Sequence, residues 1–327
     1  PLETIFSGPA ASTLGALACT EQEITSVVID IGGTTTDLAL LLDGEPLLAE
    51  RGAFINKYPI PVRSLAISSL ALGGDTSLLI DKNTVSFGPR QGPALCVGGP
   101  VLTITDILVY SGYSKIASPE LIKDNVEEMA QGLQLTPQQF AEQVLMMFVD
   151  KLENKLQAMF KAWEEEPAYR IWQVLSAEKE RPQALICLGG PAMGIGKFWS
   201  TQKKWQVIVP PHSAIANAIG AALARTTLKL DFFADTERKT YTTNIGGLQG
   251  TLTKRLKNIE EAKEFTLELF RETAQNWQVT KDTPLETLYE EGFNIVRGWQ
   301  TTGRIFQIGV QTVPGIRAFL KEVRQDV

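Results

Sequence analysis

The chain has 327 residues, 44% hydrophobic and 21% charged, a net charge of −6, three cysteines and one histidine. That length suits about two domains of ~150 residues each, and the composition is that of an ordinary globular protein. No run approaches the roughly 20 apolar residues of a membrane span, the lysines and arginines are scattered rather than striped as nucleic acid requires, and the lone His212 excludes a multi-histidine metal site.

The chain opens on Pro1 with no charged-then-apolar signal segment, so we expect a fragment or a processed chain. Residues 8–18, GPAASTLGALA, are rich in small residues and predict a helix that packs closely on a flat neighbour. A strand at 24–29, the turn DIGGTTTD at 30–37, a strand at 36–42, a turn at Asp43 and Gly44 and a strand at 46–51 follow as a meander. Residues 60–113 are punctuated by glycine and proline, with short apolar runs at 78–80 and 101–109. Ser118 and Pro119 open a helix in cap-then-first-turn order, with Leu121, Ile122, Val126 and Met129 on one face. Thr136, Pro137 and Gln139 open a second with a capping box, and its stripe of Phe140, Val144, Phe148, Leu152, Leu156 and Phe160 recurs at helical spacing. Met146, Met147 and Met159 on that helix read as core packing rather than a binding surface.

Strands at 184–188 and 205–209 precede an alanine-rich helix at 213–225. Beyond Leu230 come a strand-like stretch at 241–250 and a charged helix at 259–277, with Ala262, Phe265, Leu269, Thr273 and Trp277 as its buried stripe. In the last strand Phe306, Ile308, Val310 and Thr312 alternate with polar residues and glycine. A domain boundary is placed near 228. Cys19, Cys96 and Cys187 sit in apolar or glycine-rich surroundings, as reduced thiols of a cytoplasmic protein would.

The turn DIGGTTTD carries the chemistry. Gly32 and Gly33 remove the Cβ atoms that would keep an anion away, so backbone N–H groups can close on phosphate oxygens while Thr34, Thr35 and Thr36 offer hydroxyls. Asp30 beside a phosphate would be repelled without a cation between them, which implies a hydrated Mg²⁺. An ordinary β-turn is the alternative. The rest of the chain favours the phosphate reading, because GPAASTLGALA, DIGGTTTD, ALGGDTSLL at 71–79, ICLGGPAMGIGKF at 186–198 and the helix HSAIANAIGAALA follow in order.

That order resembles the second lobe of the actin, sugar-kinase and heat-shock-chaperone ATPase superfamily. The resemblance implies an α/β fold: a ribonuclease-H-like ATPase lobe over 1–227 with an inserted helical region at about 114–180, then a smaller α+β domain over 228–327. It implies ATP and Mg²⁺ as cofactors. Asp30 would hold the metal through water and act with Thr34 in catalysis; Gly32, Gly33, Thr34 and Thr35 would hold the β- and γ-phosphates; and Gly189, Gly190 and Met193 would flank adenosine. Gly73, Gly74 and Asp75 would shape the nucleotide cleft or form a plain turn, and Asp37 would cap the hairpin. Arg90, Cys96 and Asp106 are candidates for a substrate or interlobe contact, with loop structure as the alternative.

More narrowly, SGPAAS at 7–12, DIGGTTTD, the stretch 86–109 with SFGPRQGPALCVGG and TITDILV, LGGPAMG at 188–194 and NIVRGWQTTGRIFQIGVQTVPG at 294–315 resemble the hydantoinase A and 5-oxoprolinase family over nearly the whole chain. Members couple ATP cleavage to opening a cyclic amide or, in ketone carboxylase relatives, to activating a carbonyl. A lactam is resonance-stabilised, and phosphorylating its oxygen would make the ring carbon electrophilic. The resemblance implies a small cyclic amide as substrate, a second hydantoinase/oxoprolinase subunit as partner, and neither nucleic acid nor membrane. Ser69, Leu70 and Ala71 stand where the family has a His-Thr-Val run, and 85–97 is shorter than usual. The family's other DxGGT motif belongs to a preceding lobe, so half of the phosphate clamp is expected outside these residues. A nucleotide-switched binding protein and a small-molecule kinase are the alternatives within the superfamily.

Overall fold

The computed structural model describes residues 7–20, 25–47, 53–55, 58–60, 65–81, 83–165, 181–182, 184–245, 247–277, 279–280 and 282–320. The chain divides into two units, one of residues 1–224 with 316–327 and one of residues 225–315. In the first, helix α1 (Ser7–Thr20) leads into β1 (Ser26–Ile31), β2 (Thr36–Leu42), β3 (Glu45–Pro46), the pair β4 (Ala53–Ile55) and β5 (Tyr58–Ile60), and β6 (Ile67–Leu70). There follow the hairpin β7 (Ser77–Asp81) and β8 (Thr84–Gly88), helices α2 (Ile104–Tyr110), α3 (Lys123–Gly132) and α4 (Pro137–Glu164), then β9 (Ala184–Leu188), α5 (Ala192–Gln202), β10 (Gln206–Ile208) and α6 (Ala216–Leu223). Residues 48–51 of the expected third strand and 166–180 of the expected helical region lie outside the described residues.

The main sheet runs β10-β9-β1-β2-β3, with β6 also paired to β2. β1 is antiparallel to β2 and parallel to β9, which is parallel to β10. This antiparallel meander extended by parallel strands, with helices on both faces, is the ribonuclease-H-like arrangement. Side chains alternate along a strand, so Val27, Ile29, Ile31, Leu38 and Leu40 enter one core with α2 to α5. Val28, Ala39 and Leu41 enter the other with α1 and α6. Asp30 and Asp37 fall on the α1 and α6 side by the same alternation.

Helix α4 starts where its cap dictates. The Thr136 hydroxyl accepts from Gln139 N at 3.2 Å, while Gln139 Oε1 accepts from Thr136 N at 3.0 Å. Its six-residue apolar stripe is at most 1% exposed throughout, and full burial of a side chain of this kind is worth about 1.5–3 kcal/mol. Met146, Met147 and Met159 pack against the same core.

One expected stripe of this unit is corrected. Pro119–Leu121 forms a 3₁₀ turn before α3, which leaves Leu121 63% exposed and turns Ile122, Val126 and Ala130 inward. The run 101–109 becomes a helix start at Ile104 because Thr103 and Asp106 form a capping box.

The second unit holds β11 (Lys229–Asp235), β12 (Thr240–Thr243), β13 (Gln249–Thr251), α7 (Ile259–Ala274), β14 (Leu285–Arg297) and β15 (Gln300–Thr312). Its antiparallel sheet runs β13-β12-β11-β15-β14. Phe306, Ile308 and Val310 join Phe232 and Phe270 in its core, and Thr312 is buried as the alternation requires. Gln311 is buried too, with its amide donating to the Glu286 carboxylate. Helix α7 ends at Ala274 and a 3₁₀ turn follows, so Trp277 leaves the stripe and is 54% exposed, while Thr266, Phe270 and Ala274 are buried in α7. The second unit closes at Gly315, and residues 316–320 rejoin the first, where Leu320 N donates to Ala18 O at 2.8 Å. The single expected boundary near 228 is thus two crossings.

Candidate functional site

The turn between β1 and β2 is built on backbone hydrogen bonds. Gly32 N donates to Thr35 O at 2.9 Å, and the carbonyls of Gly32 and Gly33 accept from Gly74 N and Asp75 N at 2.8 and 2.7 Å. Gly33, Thr34 and Thr35 are exposed, and their N–H groups bond to no other described residue. Thr36 differs from the expectation. As the first residue of β2 it points to the core, fully buried, and its hydroxyl donates to Leu72 O at 2.7 Å.

Two further glycine turns close on this one. A Cβ on Gly73 would lie 2.5 Å from Gly33 O and 2.6 Å from Gly32 O, while one on Gly74 would lie 2.7 Å from both Pro191 Cγ and Thr105 Oγ1. The LGGD turn is therefore wedged between the DIGG turn and the start of α5. Gly189 has φ +93°, and a Cβ there would stand 2.2 Å from Ile31 O and 3.0 Å from Asp30 Oδ1. Side chains at these positions would force the backbones apart. Gly190 is open, with nothing within 4 Å of a Cβ, and Met193 is 60% exposed beside it on α5. The structure thus brings Asp30, Gly32, Gly33, Gly73, Gly74, Asp75 and Gly189 together, with Gly190 and Met193 on the rim.

Charge around the turn is organised in pairs. Arg90 Nε donates to Asp75 Oδ2 at 2.9 Å, and that oxygen lies 2.6 Å from where a Gly33 Cβ would be, so a guanidinium is tethered beside the exposed turn. Asp30 accepts from Ser12 Oγ of α1 at 2.5 Å. Asp37, expected only to cap the hairpin, stands directly across the strand pair from Asp30, accepts from Ser69 and opens on the same small recess. Burial pushes its carboxyl above the usual range despite the Ser69 hydrogen bond, and the nearby Asp30 charge adds to the rise.

The remaining candidates have structural parts. Asp106 is fully buried and accepts from Leu95 N, Cys96 N, Thr103 N and Thr103 Oγ1 at 2.7–2.9 Å. These four donors make it the organiser of its loop. The Cys96 thiol is pushed up to about 12 by burial and by Asp106, and the Cys187 thiol to about 12 by burial, so neither is a thiolate at neutral pH. His212 takes φ +61° in the turn before α6. Sequence reasoning did not single out Ser12 or Asn217. Ser12 was visible only as the last letter of SGPAAS, and Asn217 as a polar residue interrupting an alanine-rich run.

The profile described as hydantoinase/oxoprolinase matches residues 1–229. The chain belongs to the hydantoinase/oxoprolinase family. Among solved structures this family member is similar to nucleotide-free acetone carboxylase, with a TM-score of 0.59 and 17% identity over 95% of this chain and 50% of that one. It is also similar to the ATP-dependent caprolactamase of Pseudomonas jessenii, with a TM-score of 0.55 and 15% identity over 94% of this chain and 50% of that one. At these identities the likeness speaks for the fold. The chain spans about half the length of either structure. No curated protein matches it.

Proposed function

We propose that this hydantoinase/oxoprolinase chain binds ATP with Mg²⁺ and forms part of an enzyme that uses ATP to open a small cyclic amide. The observation that carries this reading is the meeting of three glycine turns at Asp30, beside the N–H groups of Gly33, Thr34 and Thr35, which bond to none of the described residues. Turns of this kind hold anions through backbone dipoles.

The donor set fits the metal. Mg²⁺ is commonly held by one or two carboxylates with waters and substrate phosphates, rather than by an all-protein cage. Asp30 offers one carboxylate beside the phosphate-binding turn, and the described residues contain no cluster of three or more acidic, histidine or cysteine ligands.

When bound, ATP would supply the phosphoryl group that, on the oxygen of an amide, makes its carbonyl carbon electrophilic. The N–H groups of residues 33–35 and the Thr34 hydroxyl would bind phosphate oxygens, Asp30 would hold the metal through water, and Arg90, paired with Asp75, would place a guanidinium beside the turn. The bare backbone at Gly190 and the exposed Met193 provide a flat approach for a base. The cyclic-amide class is supported by the family and by the caprolactamase likeness. A second subunit of the family belongs to the same reading, since the Cys96 and Cys187 thiols are held protonated and provide no nucleophile for ring hydrolysis.

The test is ADP release by the complete enzyme of which this chain forms part, with 5-oxoproline, hydantoin, caprolactam, acetone and simple sugars, with and without a co-encoded partner. Ring-opened acid formed together with ADP is the expected result. Recovery of a phosphorylated sugar would replace this reading with a kinase, and slow ATP loss stimulated only by a protein would replace it with a nucleotide-driven switch.

A further inference from the structure

The Asp30 carboxylate is tied to a helix it does not belong to. Ser12 Oγ of α1 donates to Asp30 Oδ2 at 2.5 Å, and Asn217 Nδ2 of α6 reaches Ser12 Oγ at 2.9 Å and Gly8 O at 2.8 Å. The directions are forced. An ionised carboxylate can only accept, so the single Ser12 proton goes to Asp30 and the Ser12 oxygen must accept from Asn217, whose two amide protons are then both used on α1. Ser12 is 1% exposed, so water does not substitute for it freely.

Asn217 sits next to the closest point of the α1–α6 crossing. A Cβ on Gly15 would lie 1.9 Å from Ala216 O, and one on Gly220 would lie 1.8 Å from Ala11 O. At that separation the two backbones touch. A shift of one helix along the other would stretch both Asn217 bonds to α1, the one to Ser12 Oγ and the one to Gly8 O.

We propose that Asn217 and Ser12 form a serial positioning relay that fixes the orientation of the Asp30 carboxylate to the α1–α6 crossing, so that metal-dependent nucleotide binding follows the state of that crossing. This rests on the Mg²⁺–nucleotide reading of Asp30. Both are positioning residues, acting through Asp30. Holding Oδ2 with Ser12 leaves Oδ1, the oxygen facing Gly189, for the metal's water shell.

The experiment titrates Mg²⁺ against binding of the fluorescent N-methylanthraniloyl-ATP by wild type, Ser12→Ala, Asn217→Leu and the double variant. Asn217→Leu keeps nearly the same shape and removes both donated protons without placing a charge beside Asp30, so it tests the bond rather than the packing. The Mg²⁺ concentration for half-maximal binding should rise about tenfold in each single variant, as loss of a charge-assisted bond predicts. Binding in EDTA should stay within about twofold, and the double variant should match Ser12→Ala because serial links do not add. Additive effects, or equal losses with and without Mg²⁺, would overturn the relay. So would variants that match wild type while wild type shows clear Mg²⁺ dependence. A wild type with no Mg²⁺-dependent binding at all would overturn the nucleotide reading itself, and the relay with it.

Discussion

At the scale of single residues, Asp30 of β1 and Asp43, at the exit of β2, carry opposite expectations. Asp30 is half-buried and hydrogen-bonded to Ser12, and Asp30→Asn keeps the shape while removing the charge that would organise a metal. In the complete enzyme we expect Mg²⁺-dependent turnover to fall about a hundredfold or more. Asp43, by contrast, takes φ +50° in a hairpin turn, and Asp43→Asn should change little because asparagine tolerates that backbone region. Equal losses at 30 and 43 in a steady-state assay would remove the metal role.

Asp37 makes a pH prediction. Its folded-state pKa is raised, so folding favours its protonated form. The contribution it makes to stability is present below the ordinary carboxylate range and is lost as the pH rises through its raised value. Asp37→Asn mimics the neutral form and removes the like charge opposite Asp30. Its melting temperature should therefore exceed wild type at about pH 7, and the difference should shrink toward about pH 4. A difference that stays constant with pH would mean that Asp37 ionises normally. Sequence spacing put a carboxylate at each end of the turn, but which face each occupies depends on strand register. That is why Asp37 read as a cap and Thr36 as a phosphate donor.

At the scale of elements, the close crossing of α1 and α6 sets two physical effects against each other. Alanine is favoured over glycine inside a helix by about 0.8–1.0 kcal/mol, yet a Cβ at Gly220 would meet Ala11 O at 1.8 Å and Gly15 N at 2.4 Å. Overpacking of this kind costs about 1–3 kcal/mol, occasionally more. Packing should win, so Gly220→Ala destabilises in urea titration, while Gly8→Ala, with nothing within 4 Å, is neutral or stabilising. Stabilisation at both sites would mean that the helices do not touch.

Element starts and stripes were legible where the signal is local, as for α4, whose cap residues and six-residue stripe are all in place. That α1 packs closely on a neighbour was legible from its small residues alone. Errors arose where a 3₁₀ turn changed the phase: Leu121 before α3 and Trp277 after α7 both rotate outward, and nothing in the local periodicity marks the change. The Ser12–Asp30 bond joins residues 18 apart and the Asn217–Ser12 bond joins residues 205 apart, so neither was available to a reading by neighbours.

At the scale of the whole molecule, the second unit is inserted between two adjacent points of the first. Ala224 and Ile316 are bridge partners, and Arg225 N donates to Gly315 O at 2.9 Å, so the strand that leaves and the strand that returns run side by side. The second unit's core is drawn from residues 230–310, whereas the buried members of the two cores flanking the main sheet are all drawn from residues 16–216. The family profile likewise stops at 229. Domains inserted through closely spaced ends are commonly separable. Replacing 225–315 with a short Gly/Ser link should therefore leave a protein that unfolds cooperatively and still binds N-methylanthraniloyl-ATP with Mg²⁺, since Asp30, the three glycine turns and the Asn217 relay all remain. If the excised protein gives a broad, non-cooperative thermal transition, the two units fold as one. If it folds and binds nucleotide but ADP release no longer responds to a cyclic amide, substrate or partner recognition belongs to the residues removed. A fully retained response would assign that recognition to the first unit instead.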